Sequence, residues 1–148
     1  MKRLIGLIFL CLLHFDFVGG QTISEKEARQ ILEEAYRCLQ TDDTLSFLKL
    51  WMPDSSSEKK SQEIISREEI FRSFHFLKRM IDAPLLQDKP IDRVSVQKYD
   101  PKYPDTKYNI SADFKCYMCD ASFGFLVMFF EGKWIVRGPG YAGVLMNK

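Results

Sequence analysis

Apolar residues in this chain change their repeat at Pro90, from helical spacing to strand alternation, and that switch limits the fold more than any single motif. Before it, Ala28, Ile31, Leu32, Ala35, Tyr36 and Leu39 recur at the spacing that puts them on one stripe of a helix, with Cys38 on the same stripe. Ser24 and Glu27 form a capping box at its start, with Ile23 and Ala28 as the hydrophobic staple. Thr41-Asp42-Asp43-Thr44 breaks this helix and caps a short second one from Leu45 to Trp51, which Pro53 ends. The polar stretch 54–62 reads as a loop or a short edge strand. A second capping box, Ser66 with Glu69, opens a third helix whose Ile70, Phe74, Leu77 and Ile81 lie on one line, widened by Phe71 and followed by Pro84.

Beyond Pro90, Val94, Val96 and Tyr99 alternate with polar residues ahead of a Pro-rich turn at 100–105. Tyr108, Ile110, Ala112, Phe114, Cys116 and Met118 then share one face, and Asn109, Ser111, Asp113, Lys115 and Tyr117 the other. The run 123–130 is apolar throughout, which predicts a strand covered on both faces, and Glu131-Gly132-Lys133 turns it into Trp134-Ile135-Val136. Helices followed by an antiparallel meander predict an α+β fold with N-terminal helices packed on a curved antiparallel sheet.

The N-terminus is basic at Lys2 and Arg3, apolar from Leu4 to Leu13, and small at Val18-Gly19-Gly20, the pattern of a secretory signal peptide over residues 1–20. A membrane span needs roughly 20 apolar residues, and this run stops short of that. The expectation is a secreted, extracellular chain forming one domain over 21–148, with Cys11 removed in the leader. The 148 residues less these 20 leave 128, enough for one core of ordinary size. Loss of Lys2, Arg3 and Asp16 takes the formal net charge from +1 to zero, with acids and bases interspersed. Such a surface argues against nucleic acid or an anionic membrane as the main partner.

The pair Cys116-x-x-Cys119 is the segment that most resembles chemistry. Structural zinc takes about four soft ligands. Beyond the leader the chain offers only Cys38 and His75 besides that pair, so neither a metal nor another cofactor is expected. A redox C-x-x-C needs a helix N-terminus to lower the thiol pKa, whereas this pair ends a strand. Disulfide bonding is the expected state in a secreted chain, and three cysteines leave one over. His75 lies on the flank of the third helix without a visible partner, so no catalytic residue is assigned. Tyr36, Trp51, Phe74, Phe114 and Phe125 either line a ligand pocket under the sheet or form core. Asn109-Ile110-Ser111 fits N-glycosylation on a polar strand face, with an unmodified surface Asn as the other reading.

"YRCLQTDDTLSFLKLWMPDSS", "SREEIFRSFHFL" and "VMFFEGKWIV" together resemble the nuclear transport factor 2-like superfamily, the cone-shaped α+β fold shared with ketosteroid isomerase-like and SnoaL-like proteins, including its extracellular members in nematodes and other animals. The matching elements are Pro53-Asp54, the helix start Ser66-Arg67-Glu68-Glu69-Ile70, and the hairpin Gly132-Lys133-Trp134. The resemblance implies that the first helix lies against the sheet, which makes Cys38–Cys116 the first choice of disulfide and Cys38–Cys119 the second. It also implies a binding cavity between sheet and helices. In the superfamily's enzymes an acid follows the Pro-Asp element, but here that region is Ser55-Ser56-Ser57-Glu58-Lys59-Lys60. The expected function is a non-catalytic binding domain for an apolar small molecule or a protein partner, with a homodimer through the outer sheet face compatible with it. The alternative is an isomerase- or lyase-type enzyme using the same cavity. A cystatin-like inhibitor would need a Gln-x-Val-x-Gly loop, which the sequence lacks.

Overall fold

The structure, a computed structural model, describes residues 21–51, 66–83, 86, 88–99, 107–116, 119–130, 132–138 and 140–146. The expected leader, the Pro53-Asp54 element with the polar stretch after it, and the turn at 100–105 lie outside the described residues.

Both capping boxes form. Helix α1, Glu25–Gln40, starts at Ser24, whose Oγ accepts from the Glu27 amide at 3.2 Å, while Glu27 Oε2 accepts from the Ser24 amide at 2.8 Å. Asp42, with φ of +59°, breaks the helix in the left-handed region that aspartate tolerates. Asp43 then caps α2, Thr44–Lys49, by accepting from the Ser46 amide at 2.9 Å. Helix α3, Arg67–Ile81, repeats the first box with Ser66 and Glu69.

These caps tie the fold to pH. The Ser24 hydroxyl, followed by its amide, holds the Glu27 carboxyl below the ordinary range. The Ser46 amide does the same for Asp43, and Arg37, 2.6 Å away, for Glu34. A carboxyl whose folded-state pKa lies below its unfolded value adds stability above the unfolded value and loses it as pH falls through the folded one. Melting temperature is therefore expected to decline on acidification into and below the carboxylate range, with Glu27→Gln flattening part of that decline. An unchanged acid slope in the variant would remove Glu27 from this account.

Five antiparallel strands follow: β1 Arg93–Lys98, β2 Lys107–Cys116, β3 Cys119–Phe130, β4 Lys133–Val136 and β5 Tyr141–Met146. β1 pairs β2 and β2 pairs β3, with Phe114 opposite Ala121 and Ile110 opposite Phe125. The far side of β3 is shared, β5 lying along its first half and β4 along its last four residues. Between them the Leu126 carbonyl accepts from the amides of Arg137 and Gly138 at 2.7 and 3.3 Å. The helices cover one face of this sheet. Ile110, Ala112, Phe114, Phe123, Phe125 and Val127 bury against Leu32, Ala35, Leu39, Phe47, Phe74 and Leu77, each large side chain contributing about 1.5–3 kcal/mol.

On the opposite face Gly124 leaves a gap that the Tyr141 ring covers. Its hydroxyl stands 3.5 Å from the Ile110 carbonyl, and burial pushes the phenol pKa up. The sheet departs from the expected meander, because β5 turns back onto β3. β3 begins at Cys119 rather than Phe123, since Asp120 and Ser122 point outward and hide its start from a count of apolar residues. Tyr99 lies beyond β1 and is exposed, so the alternation ends at Val96. Among the described residues no helix is long and apolar enough to cross a membrane.

Candidate functional site

Tyr36, Trp51, Phe74, Phe114 and Phe125 come together beneath the sheet, and all five are buried. They pack as a core. Phe47 meets Phe74 edge-on at 5.1 Å and lies 6.2 Å from both Trp51 and Phe125. Phe123 stacks on Phe114 at 5.7 Å and meets Phe125 at 5.8 Å, while Tyr36 tilts against Phe114 at 5.2 Å. The Tyr36 hydroxyl donates to the Lys89 carbonyl at 2.8 Å. Burial pushes its pKa up. Among the described residues Trp51 Nε1 is buried there without a hydrogen-bond partner. Of the five, Phe114 alone borders one of the two open hollows described below.

His75 is exposed, its ring edge-on to Phe74 at 5.7 Å. A general base needs a partner and a reacting proton within hydrogen-bond reach, and His75 has neither among the described residues. No group of three His, Cys, Asp or Glu side chains among the described residues is placed to hold a metal ion.

The cysteines depart from the expected pairing. Cys38 is a free, buried thiol, 3.9 Å from Glu34 Oε1, and burial followed by that carboxylate pushes its pKa up. Neither Cys38–Cys116 nor Cys38–Cys119 is formed. Cys119 is disulfide-bonded. Cys116 stands directly opposite it in the β2–β3 ladder, across the two intervening residues 117 and 118. Opposed residues of antiparallel strands lie about 4.5–5.5 Å apart at Cα, within the range a disulfide spans. Peptide mapping without reductant is expected to join the Cys116 and Cys119 peptides, with Cys38 alkylated only after denaturation. A Cys38-linked peptide would contradict this pairing.

The open features lie outside the core. On the uncovered face Arg93, Asp113, Ser122 and Gly143 form one row across β1, β2, β3 and β5. Arg93 donates to Asp113 Oδ2 from Nε at 2.9 Å and from Nη2 at 2.8 Å. With Asp92, Lys115 and Asp120 this row lines a hollow of about 650 Å³. A second hollow, about 360 Å³, lies between α3 and β5 and is lined by Phe76, Arg79, Met80, Ala142, Gly143 and Val144. Gly143 borders both.

Strand alternation assigned Asp113 to the polar face, but not its pairing with Arg93, twenty residues away, since that depends on the β1–β2 register. Asn109 lies in mid-β2, half-buried and opposite Gln97 and Leu126. Compared with protein-family models, with curated proteins and with solved structures, the chain matches none. Among the described residues, the fold is α+β, the aromatic side chains beneath the sheet pack against one another, and the two hollows lie on the uncovered face and at the β5 edge.

Proposed function

We propose that this chain is a secreted, non-catalytic binding domain of the nuclear transport factor 2-like kind, whose partner is a protein that docks on the uncovered face and the β5 edge of the sheet. The observation that carries this reading is the filling of the interior: the space a small apolar ligand would use is taken by Phe47, Phe74, Phe123 and Phe125, which contact one another. Small-molecule sites are concave, mostly apolar, and bury most of the ligand. Here the larger hollow is open and lined by charges of both signs, which suits the polar rim of a protein contact. The helix order, with its second capping box at Ser66, supports the superfamily, and the leader and the Asn109 sequon support secretion.

The isomerase or lyase alternative needs an acid or histidine facing an enclosed cavity. His75 is exposed, and Asp113 is engaged by Arg93 in an open hollow, so neither supports it. Native mass spectrometry of the chain purified from its own secretory source is expected to show a polypeptide beginning at Gln21 and no retained small molecule. A stoichiometric apolar compound retained by the chain would overturn the protein-binding reading.

A further inference from the structure

β5 is hydrogen-bonded to β3 along one side, and among the described residues no strand pairs with its other side. Its six residues, Tyr141–Met146, contain neither charge nor proline. Edge strands that remain unpaired are ordinarily guarded by lysine, proline, a bulge or shortness, so an unguarded edge is a template for another extended chain.

The two sides of this strand offer different surroundings. Ala142 and Val144 face α3 and, with Phe76 and Met80, line the smaller hollow, where Phe76 is 53% and Val144 45% exposed. Gly143 faces the other way, and a side chain built there would meet nothing within 4 Å, so the larger hollow opens directly onto the edge. That hollow holds Asp92, Asp113 and Asp120 against Arg93 and Lys115, three negative charges to two positive. Asp113 is held by Arg93. Asp120 is exposed and lies two residues from Ser122, the cross-strand partner of Gly143; Lys115 stands opposite it in the β2–β3 ladder, yet no ion pair within 4 Å joins Asp120 to any described residue.

We infer that the free edge of β5 takes an extended segment of the partner protein as an added strand. An apolar side chain of that segment seats between Phe76 and Val144, and a basic one lies across Gly143 toward Asp120. This rests on the protein-binding reading above and narrows it to one kind of segment. Backbone pairing attracts any extended chain, whereas hollows on opposite sides of one strand select alternate side chains. Strands lie about 4.8 Å apart, so a lysine or arginine on the added strand reaches past Gly143 to the Asp120 side of β3. A second copy of this chain fits less well, because its own β5 brings Tyr141 and Gly143, not a basic group, to that side.

The test is selection of octapeptides from a random displayed library on the full chain, followed by fluorescence anisotropy with the recovered peptides. The expected peptides alternate apolar and basic residues, bind Gly143→Leu and Val144→Lys at least tenfold more weakly, and bind Leu45→Lys, on α2, as they bind the parent. Amides of β5 are expected to gain hydrogen-exchange protection on binding. No enrichment, peptides without that alternation, or binding indifferent to both variants would overturn the inference. Self-association abolished by Val144→Lys in ultracentrifugation would also overturn it, by naming a second copy as the occupant. If the peptides fail while native mass spectrometry still shows no small molecule, the edge inference falls and the protein-binding reading stands.

Discussion

Phe125→Ala is expected to cost about 3–5 kcal/mol in urea unfolding, the cost of leaving a phenyl-sized cavity in a packed interior. The ring is fully buried and lies about 6 Å from each of Phe47, Trp51 and Phe123, so three aromatic neighbours lose a partner together. Against a total stability of about 5–15 kcal/mol for an ordinary domain, much of the protein would be unfolded at physiological temperature. A residue lining an open ligand pocket behaves otherwise: truncation there enlarges existing space and leaves stability nearly unchanged. A midpoint of denaturation within error of the parent would return Phe125 to the pocket-lining role that its sequence position allows.

Gly124→Ala is expected to destabilise by about 3 kcal/mol, the upper end for overpacking, because a rigid group obstructs the new methyl. A Cβ there would press on the Ile110 carbonyl oxygen and lie 2.5 Å from the Tyr141 hydroxyl. The tyrosine can swing aside, but Ile110 O belongs to β2 of the same sheet. Adding Tyr141→Ala to Gly124→Ala is therefore expected to recover only a minor part of the loss. Recovery to the level of Tyr141→Ala alone would show that the ring, not the backbone, sets the requirement for glycine.

The two capping boxes were legible in the sequence because each is local, a serine and a glutamate three residues apart that satisfy each other's backbone donors. The buried faces of α1 and α3 followed from spacing for the same reason. What escaped reading depends on pieces distant in sequence. β5 follows Gly138-Pro139-Gly140 and contains Gly143, a composition that reads as punctuation; only the neighbouring β3 makes a strand of it. The Arg93–Asp113 pair needs the β1–β2 register. Aromatic residues at strand and helix spacing look alike whether they surround a cavity or fill it, and that choice was made by Phe47 and Phe123, which spacing alone does not single out from the other apolar residues.

The cysteines show the same limit. Pairing of Cys38 with Cys116 or Cys119 followed from the resemblance, which lays the first helix against the sheet, yet Cys38 sits near the end of α1 with Glu34 and Arg37 as its polar neighbours. A bridge across that interval would close a long loop and strongly restrict the unfolded chain. One between opposed residues of a hairpin closes a very short loop and restricts it little. With that pairing, the aromatic interior is expected to contribute more to stability than the covalent link.

The divided far side of β3 bears on how this chain tolerates changes in length. β4 takes its register from residues 127–130 and from the bond its Val136 amide donates to Leu50 O, whereas β5 takes its own from 119–124. Neither alignment is inherited from the other. Residues inserted between β4 and β5 would lengthen the connection and leave both in step. One residue inserted within β2, which runs unbroken beside β3 from Lys107 to Cys116, would turn every later side chain of that strand to the wrong face.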